Sequence, residues 1–181
     1  MRALGPGSVS SFLKVMLDVV RWVLLFSAGA ASIAIVAVLL FSFRPDLLSG
    51  AINLGAFHIR GPWIGPLAAG TLVAADLYIV GALVIVGRLR RIFQTLVVGD
   101  PFHPANVRRL RVIGAALAGL ELGRYAFAVI AHLIVHSLGL AKVDLGGGVN
   151  LNTWFSVLVI VVLAEVFREG ARLRGEAELT I

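Results

Sequence analysis

The stretch Trp22-Val-Leu-Leu-Phe-Ser-Ala-Gly-Ala-Ala-Ser-Ile-Ala-Ile-Val-Ala-Val-Leu-Leu-Phe-Ser-Phe43 runs for 22 residues without a charge. About 20 consecutive apolar residues in a helix span a bilayer core. Lys14, Asp18 and Arg21 precede the run, and Arg44-Pro45 closes it. A cleaved signal peptide would carry an apolar region of roughly 7–15 residues followed by a small-residue cleavage site. Ser27 to Ala31 is rich in small residues, but the apolar run continues well past it. The segment therefore reads as a retained membrane helix.

Working outward, the pattern recurs. Leu67 to Gly87 is apolar apart from Asp76 and ends at Arg88-Leu89-Arg90-Arg91. Ile92, Phe93, Leu96 and Val97 continue a helical stripe. Gly99-Asp100-Pro101 stops it, because proline disfavours helix at the preceding residue and glycine suits a helix end. Pro104 suits the first turn of a new helix. That helix carries Arg108, Arg109 and Arg111 into the run from Val112 to Leu140, which contains Glu121, Arg124, His132 and His136. A Gly-rich turn, residues 142–150, leads to the last run, Leu151 to Phe167, and a polar extension with Arg168, Glu169, Arg172 and Arg174. Residues 44–66 are broken by glycines and prolines. Within them Ala56 to Ile59 reads as a short strand or interfacial segment, and Trp63 suits a membrane boundary.

Composition agrees with this reading. Of 181 residues, 59% are hydrophobic and 14% charged, and mean hydropathy is +0.97. An ordinary soluble domain has roughly 45–50% apolar and about 25% charged residues. These values exclude a soluble enzyme, a disordered chain and a fibrous repeat, and the length excludes a transporter of two six-helix halves. With no cysteine there is no disulfide framework, thiolate metal site or cysteine nucleophile. The expected fold is all-α: an antiparallel bundle of four transmembrane helices, about residues 19–43, 67–98, 104–140 and 150–174, in one domain spanning 1–181, with a cytoplasmic helical hairpin.

The net charge of +6 reflects arginines placed by topology. Twelve Lys and Arg residues fall on the N-terminus, the central loop and the tail, and three fall on the opposite loops. Both termini and residues 88–111 are therefore expected in the cytoplasm. Phosphate contacts to nucleic acid are the competing reading of the six loop arginines, but positive-inside topology and attraction to anionic lipid account for them, so direct nucleic-acid binding is not expected.

Four ionisable groups lie inside apolar runs: Asp76, Glu121, Arg124 and Glu165. A charge at the bilayer centre costs roughly 2.5–3.5 kcal/mol on insertion scales, so such groups face the bundle and take partners. Asp76 and Arg124 fall at similar depth, and Glu121 and Arg124 share a helix face. An Asp76–Glu121–Arg124 cluster serves either as a proton or substrate relay or as an ion pair that fixes helix rotation. His132 and His136, four apart, form a weak metal pair that needs a third ligand such as His58 or Asp144. No phosphate-binding loop, serine elbow or His-Glu-x-x-His sequence is present, so no catalytic residue and no cofactor is expected. Phe102 is expected to pack on the start of the third helix and the extension of the fourth, where Phe167 and Leu173 are available. Asn106 is expected to bond a neighbouring backbone group and fix the turn.

Two segments carry a family resemblance. In residues 99–114, Gly99, Pro101-Phe102, Asn106, Arg109-Leu110-Arg111 and Gly114 form one motif. Ala164-Glu165-Val166-Phe167-Arg168-Glu169-Gly170, followed by the Leu179-Thr180-Ile181 end, forms the other. Together these resemble a group of small four-helix bacterial membrane proteins classed as a domain of unknown function. The chain departs from that pattern at Gly175-Glu176-Ala177. The resemblance implies a multi-pass protein of the bacterial inner membrane, often encoded beside an Xre-type helix-turn-helix regulator. It thus implies a non-enzymatic sensor or sequestering partner of that regulator. A small oligomeric transporter or channel subunit using Asp76, Glu121 and Arg124 is the alternative, and either form is compatible with a homo-oligomer.

Overall fold

The computed structural model describes residues 9–41, 64–137 and 148–178. The segment Ala56 to Ile59, Trp63, the ligand candidates His58 and Asp144, and the Leu179-Thr180-Ile181 end lie outside the described residues. All regular structure described is helical: α1 (Val9–Phe41), α2 (Ile64–Val97), α3 (Pro104–Ser137) and α4 (Leu151–Glu178). The all-α expectation and the four helices able to cross a membrane are therefore present. Suitable stretches are Val15–Leu40, Ala68–Val97, Pro104–Ser137 and Leu151–Ala177. α1 begins before the apolar run, and its first turns include Leu17, which is buried.

The helix ends follow local chemistry. α2 ends in a Schellman motif: Gly99 N–H donates to the Leu96 carbonyl at 3.1 Å and Asp100 N–H to the Thr95 carbonyl at 3.0 Å. Gly99 sits at φ +86°, a left-handed conformation that a Cβ would disfavour. At the start of α3, His103 is the cap. Its Nδ1 accepts from Ala105 N–H at 3.1 Å and its carbonyl from Asn106 N–H at 2.8 Å. Pro104 takes the first helical position, where a missing N–H costs nothing. Asn150 caps α4, its Oδ1 accepting from the N–H groups of Asn152 at 3.1 Å and Thr153 at 3.4 Å.

The chain divides into two compact units. The first comprises residues up to 24, 81–123 and 148–181, and the second comprises residues 25–80 and 124–147. In the first, Ile92, Leu110, Ile113 and Ala164 form a core, flanked by Ile85, Leu89, Leu117, Ile160 and Phe167 among others. Contacts at Thr95–Asn106, Arg91–Arg109 and Gly81–Leu120 step back along α2 as they step forward along α3. At Gly81 the two helices pack tightly: a Cβ there would stand 2.5 Å from a Leu120 methyl. α4 joins through Ile160, which lies over Gly114. In the second unit, Ala68, Ala69, Ala128 and Val135 are buried.

The buried apolar set is small and the exposed one large. Phe26 is 81% exposed, Trp22 73%, Ile33 72% and Leu151 74%. A monomeric soluble protein rarely shows contiguous apolar patches beyond a few hundred Å². Long helices with this exterior belong in lipid, and the chain is a multi-pass membrane protein.

Candidate functional site

The first unit concentrates its polar order where α2 turns into α3. Asn106 is fully buried. A buried amide is costly unless bonded, and this one is bonded at both ends. Its Nδ2 donates to Thr95 Oγ1 at 2.7 Å and to the Pro101 carbonyl at 3.0 Å. Its Oδ1 accepts from Arg109 at 2.8 Å. The same Arg109 nitrogen donates to the Arg91 carbonyl at 2.9 Å. Thr95 in turn donates its hydroxyl to the Ile92 carbonyl at 2.7 Å. One side chain therefore holds the last turn of α2, the connecting turn and the first turns of α3.

Phe102 and the α4 extension form the second part. The Phe102 ring lies 5.7 Å from the Phe167 ring, centroid to centroid and tilted by 53°. That separation and tilt are favourable for an aromatic pair. A Cβ on Gly170 would stand 2.5 Å and 2.6 Å from two ring carbons, so glycine alone leaves room for the ring. Asp100, in the turn, forms an ion pair with Arg174 on α4. Glu165 pairs with Arg168 along α4, and Arg172 pairs with Glu169 at 2.5 Å and Glu176 at 3.4 Å. On α1, Asp18 Oδ1 lies 2.7 Å from Arg90 Nε, without the alignment of a hydrogen bond.

The motif residues thus divide. Gly99, Pro101, Phe102, Asn106, Arg109 and Phe167 are joined through the turn, while Glu165 and Arg168 meet each other and Arg111 is exposed. Sequence reasoning did not assign partners to Thr95, Asp100, Gly170 or Arg174. The Phe-x-x-Gly spacing on α4, Phe167 to Gly170, offered no signal for the aromatic ring that Gly170 accommodates.

The buried-charge candidates sit differently. In the second unit, Asp76 Oδ2 accepts from Ser32 of α1 at 3.2 Å, and its Oδ1 is shielded with no hydrogen-bond partner. Ser32 is the partner that the sequence reading did not name. Arg124 lies with its guanidinium 4.8 Å from the Tyr125 ring centroid, within cation–π range. In the first unit, Glu121 is buried. The His132 and His136 rings stack at 6.5 Å. Among the described residues no group of three His, Cys, Asp or Glu is placed to hold a metal ion.

The arrangement around Asn106 is one of satisfied hydrogen bonds. It is a rigid polar joint at one end of three helices, with an apolar exterior along their length. No curated protein and no solved structure matches the chain. Residues 58–181, from before α2 to the end and including both motifs, match the family described as Protein of unknown function (DUF2975), and the chain belongs to that family.

Proposed function

We propose that the protein is a non-enzymatic membrane partner of a cytoplasmic transcription regulator, docking it on the platform formed by the α2–α3 turn and the α4 extension. In this reading the four helices form an antiparallel bundle, one domain over 1–181, in a bacterial inner membrane with both termini and the turn in the cytoplasm. The arginine asymmetry supports that orientation. The observation that carries the docking role is Val98. It is 83% exposed in the turn, beside the partly exposed Phe102, on a joint that Asn106 holds rigid. An apolar side chain left uncovered at the tip of a built turn fits a protein surface better than water. The resemblance to proteins encoded beside helix-turn-helix regulators supplies the class of partner.

A second reading rests on Asp76. A carboxylate in an apolar helix with one shielded, unpartnered oxygen suits a small oligomeric transporter or channel subunit, in which Glu121 and Arg124 also take part.

The test co-expresses the tagged full chain with the helix-turn-helix protein encoded beside it. Phe102 is a poor probe because its ring packs on Phe167. Val98→Glu touches only the exposed tip. Wild type should retain the regulator through purification, and Val98→Glu should lose it at unchanged melting temperature. Failure of wild type to retain the regulator would overturn the docking role. Proton- or ion-dependent flux in proteoliposomes that Asp76→Asn abolishes would favour the second reading.

A further inference from the structure

The first unit carries a one-sided excess of positive charge at the level where its helices leave the apolar zone. Carboxylates near the turn end are already engaged. Asp18 faces Arg90, Asp100 faces Arg174, Glu165 faces Arg168, and Glu169 and Glu176 both face Arg172. The α4 extension is therefore largely self-neutralised. Arg21 on α1, Arg88 and Arg91 on α2, and Arg108 and Arg111 on α3 have no carboxylate within ion-pair distance among the described residues. Four of these five are exposed and Arg88 is half-buried.

Their depth is common. Arg21 directly precedes the apolar run of α1, and Arg88 directly follows that of α2. The Arg91–Arg109 contact sets α3 at the same level as α2, and Asp18 against Arg90 sets α1 there too. Arg21 stands one turn along α1 from Asp18, and Arg108 and Arg111 are one turn apart on α3. Arg109, between them in sequence, points instead into the Asn106 joint. The result is a belt of five guanidinium groups over α1, α2 and α3 that are unpaired among the described residues, with no counterpart among those of α4.

We propose that this belt binds the phosphate headgroups of anionic glycerophospholipids, so that the α1–α2–α3 side of the protein gathers acidic lipid around it while the α4 side does not. The inference goes beyond the docking role and does not depend on it. Guanidinium groups match phosphate oxygens in geometry and charge. A lipid headgroup suits this belt better than an acidic protein, because each arginine borders an apolar helical stretch that acyl chains must already cover.

Trp22, next to Arg21 and 73% exposed, is a built-in reporter at this level. The full chain with Trp63→Phe and Trp154→Phe is reconstituted in phosphatidylcholine vesicles containing a minor fraction of acyl-brominated lipid, either phosphatidylglycerol or phosphatidylcholine. Brominated phosphatidylglycerol should occupy sites beside Trp22 with at least about fivefold preference, the effect of a single arginine near an anionic surface. The preference should fall with salt. It should disappear in Arg21→Gln/Arg88→Gln/Arg91→Gln/Arg108→Gln/Arg111→Gln, while quenching by brominated phosphatidylcholine stays as in wild type and shows the variant inserted. Equal quenching by the two lipids in the unsubstituted belt would overturn the proposal, as would a preference that survives the five substitutions. Binding of polyglutamate by the detergent-solubilised protein without any lipid preference would assign the belt to an acidic protein and overturn it too.

Discussion

Replacing Asn106 with alanine tests the joint on which the platform depends. The side chain makes two neutral hydrogen bonds, to Thr95 Oγ1 and the Pro101 carbonyl, and one to the charged Arg109. Net contributions are about 0.5–1.5 kcal/mol for a neutral bond and about 1.5–3 kcal/mol for one to a charged group. Two partners keep other bonds, because Arg109 retains the Arg91 carbonyl and Thr95 retains the Ile92 carbonyl. The Pro101 carbonyl loses a buried donor. The expected loss is therefore about 3 kcal/mol. For a chain of this size that corresponds to a fall in melting temperature of about 6–12 °C. Thermal unfolding in a mild detergent, read by circular dichroism, measures it. Thr95→Val removes one of the three partners, so Asn106→Ala and Thr95→Val should be non-additive by about 1 kcal/mol. A shift below about 2 °C for Asn106→Ala, or strict additivity with Thr95→Val, would refute the reasoning.

Gly170→Ala should destabilise by about 1–3 kcal/mol, because the new methyl meets the Phe102 ring at 2.5 Å. Gly175→Ala, with nothing within 4 Å of the added Cβ, should stabilise α4 by up to about 1 kcal/mol, and the contrast between the two melting curves is the measurement. Cysteines introduced at Gln94 and Ser49 should react with an impermeant thiol reagent from opposite faces of the membrane. Equal labelling of both in intact cells would contradict the orientation.

How much of this was legible depended on the distance over which each interaction acts. The helices could be read because a long, mostly apolar run has few other physical outcomes. Their ends could be read where a single residue decides them, as at Gly99 and Pro104. The contact of Phe102 with Phe167 was approachable because both are aromatic residues at ends expected to lie together. Bonding of Asn106 to a nearby backbone group could be expected, and the Pro101 carbonyl fulfils that role. Thr95 as its second acceptor could not be read, since eleven residues and a complete turn separate them. Ser32 and Asp76 are 44 residues apart on different helices, so nothing in either local pattern points to the other. Gly170 gives no sign of its purpose in sequence, because the need for a missing side chain arises only when a distant ring is in place.

The scarcity of interior has a consequence for handling the protein. Among the described residues only a few small and medium side chains, such as Ala68, Ala69, Ile113 and Ala164, are shielded by other protein atoms, while Phe12, Phe26, Leu40, Phe155 and Leu158 face outward. Acyl chains therefore supply much of the van der Waals contact that a soluble protein draws from itself. Tails of different length or order change that contact directly. The melting temperature is then a property of protein and amphiphile together, and variants are comparable only within one detergent or one bilayer thickness.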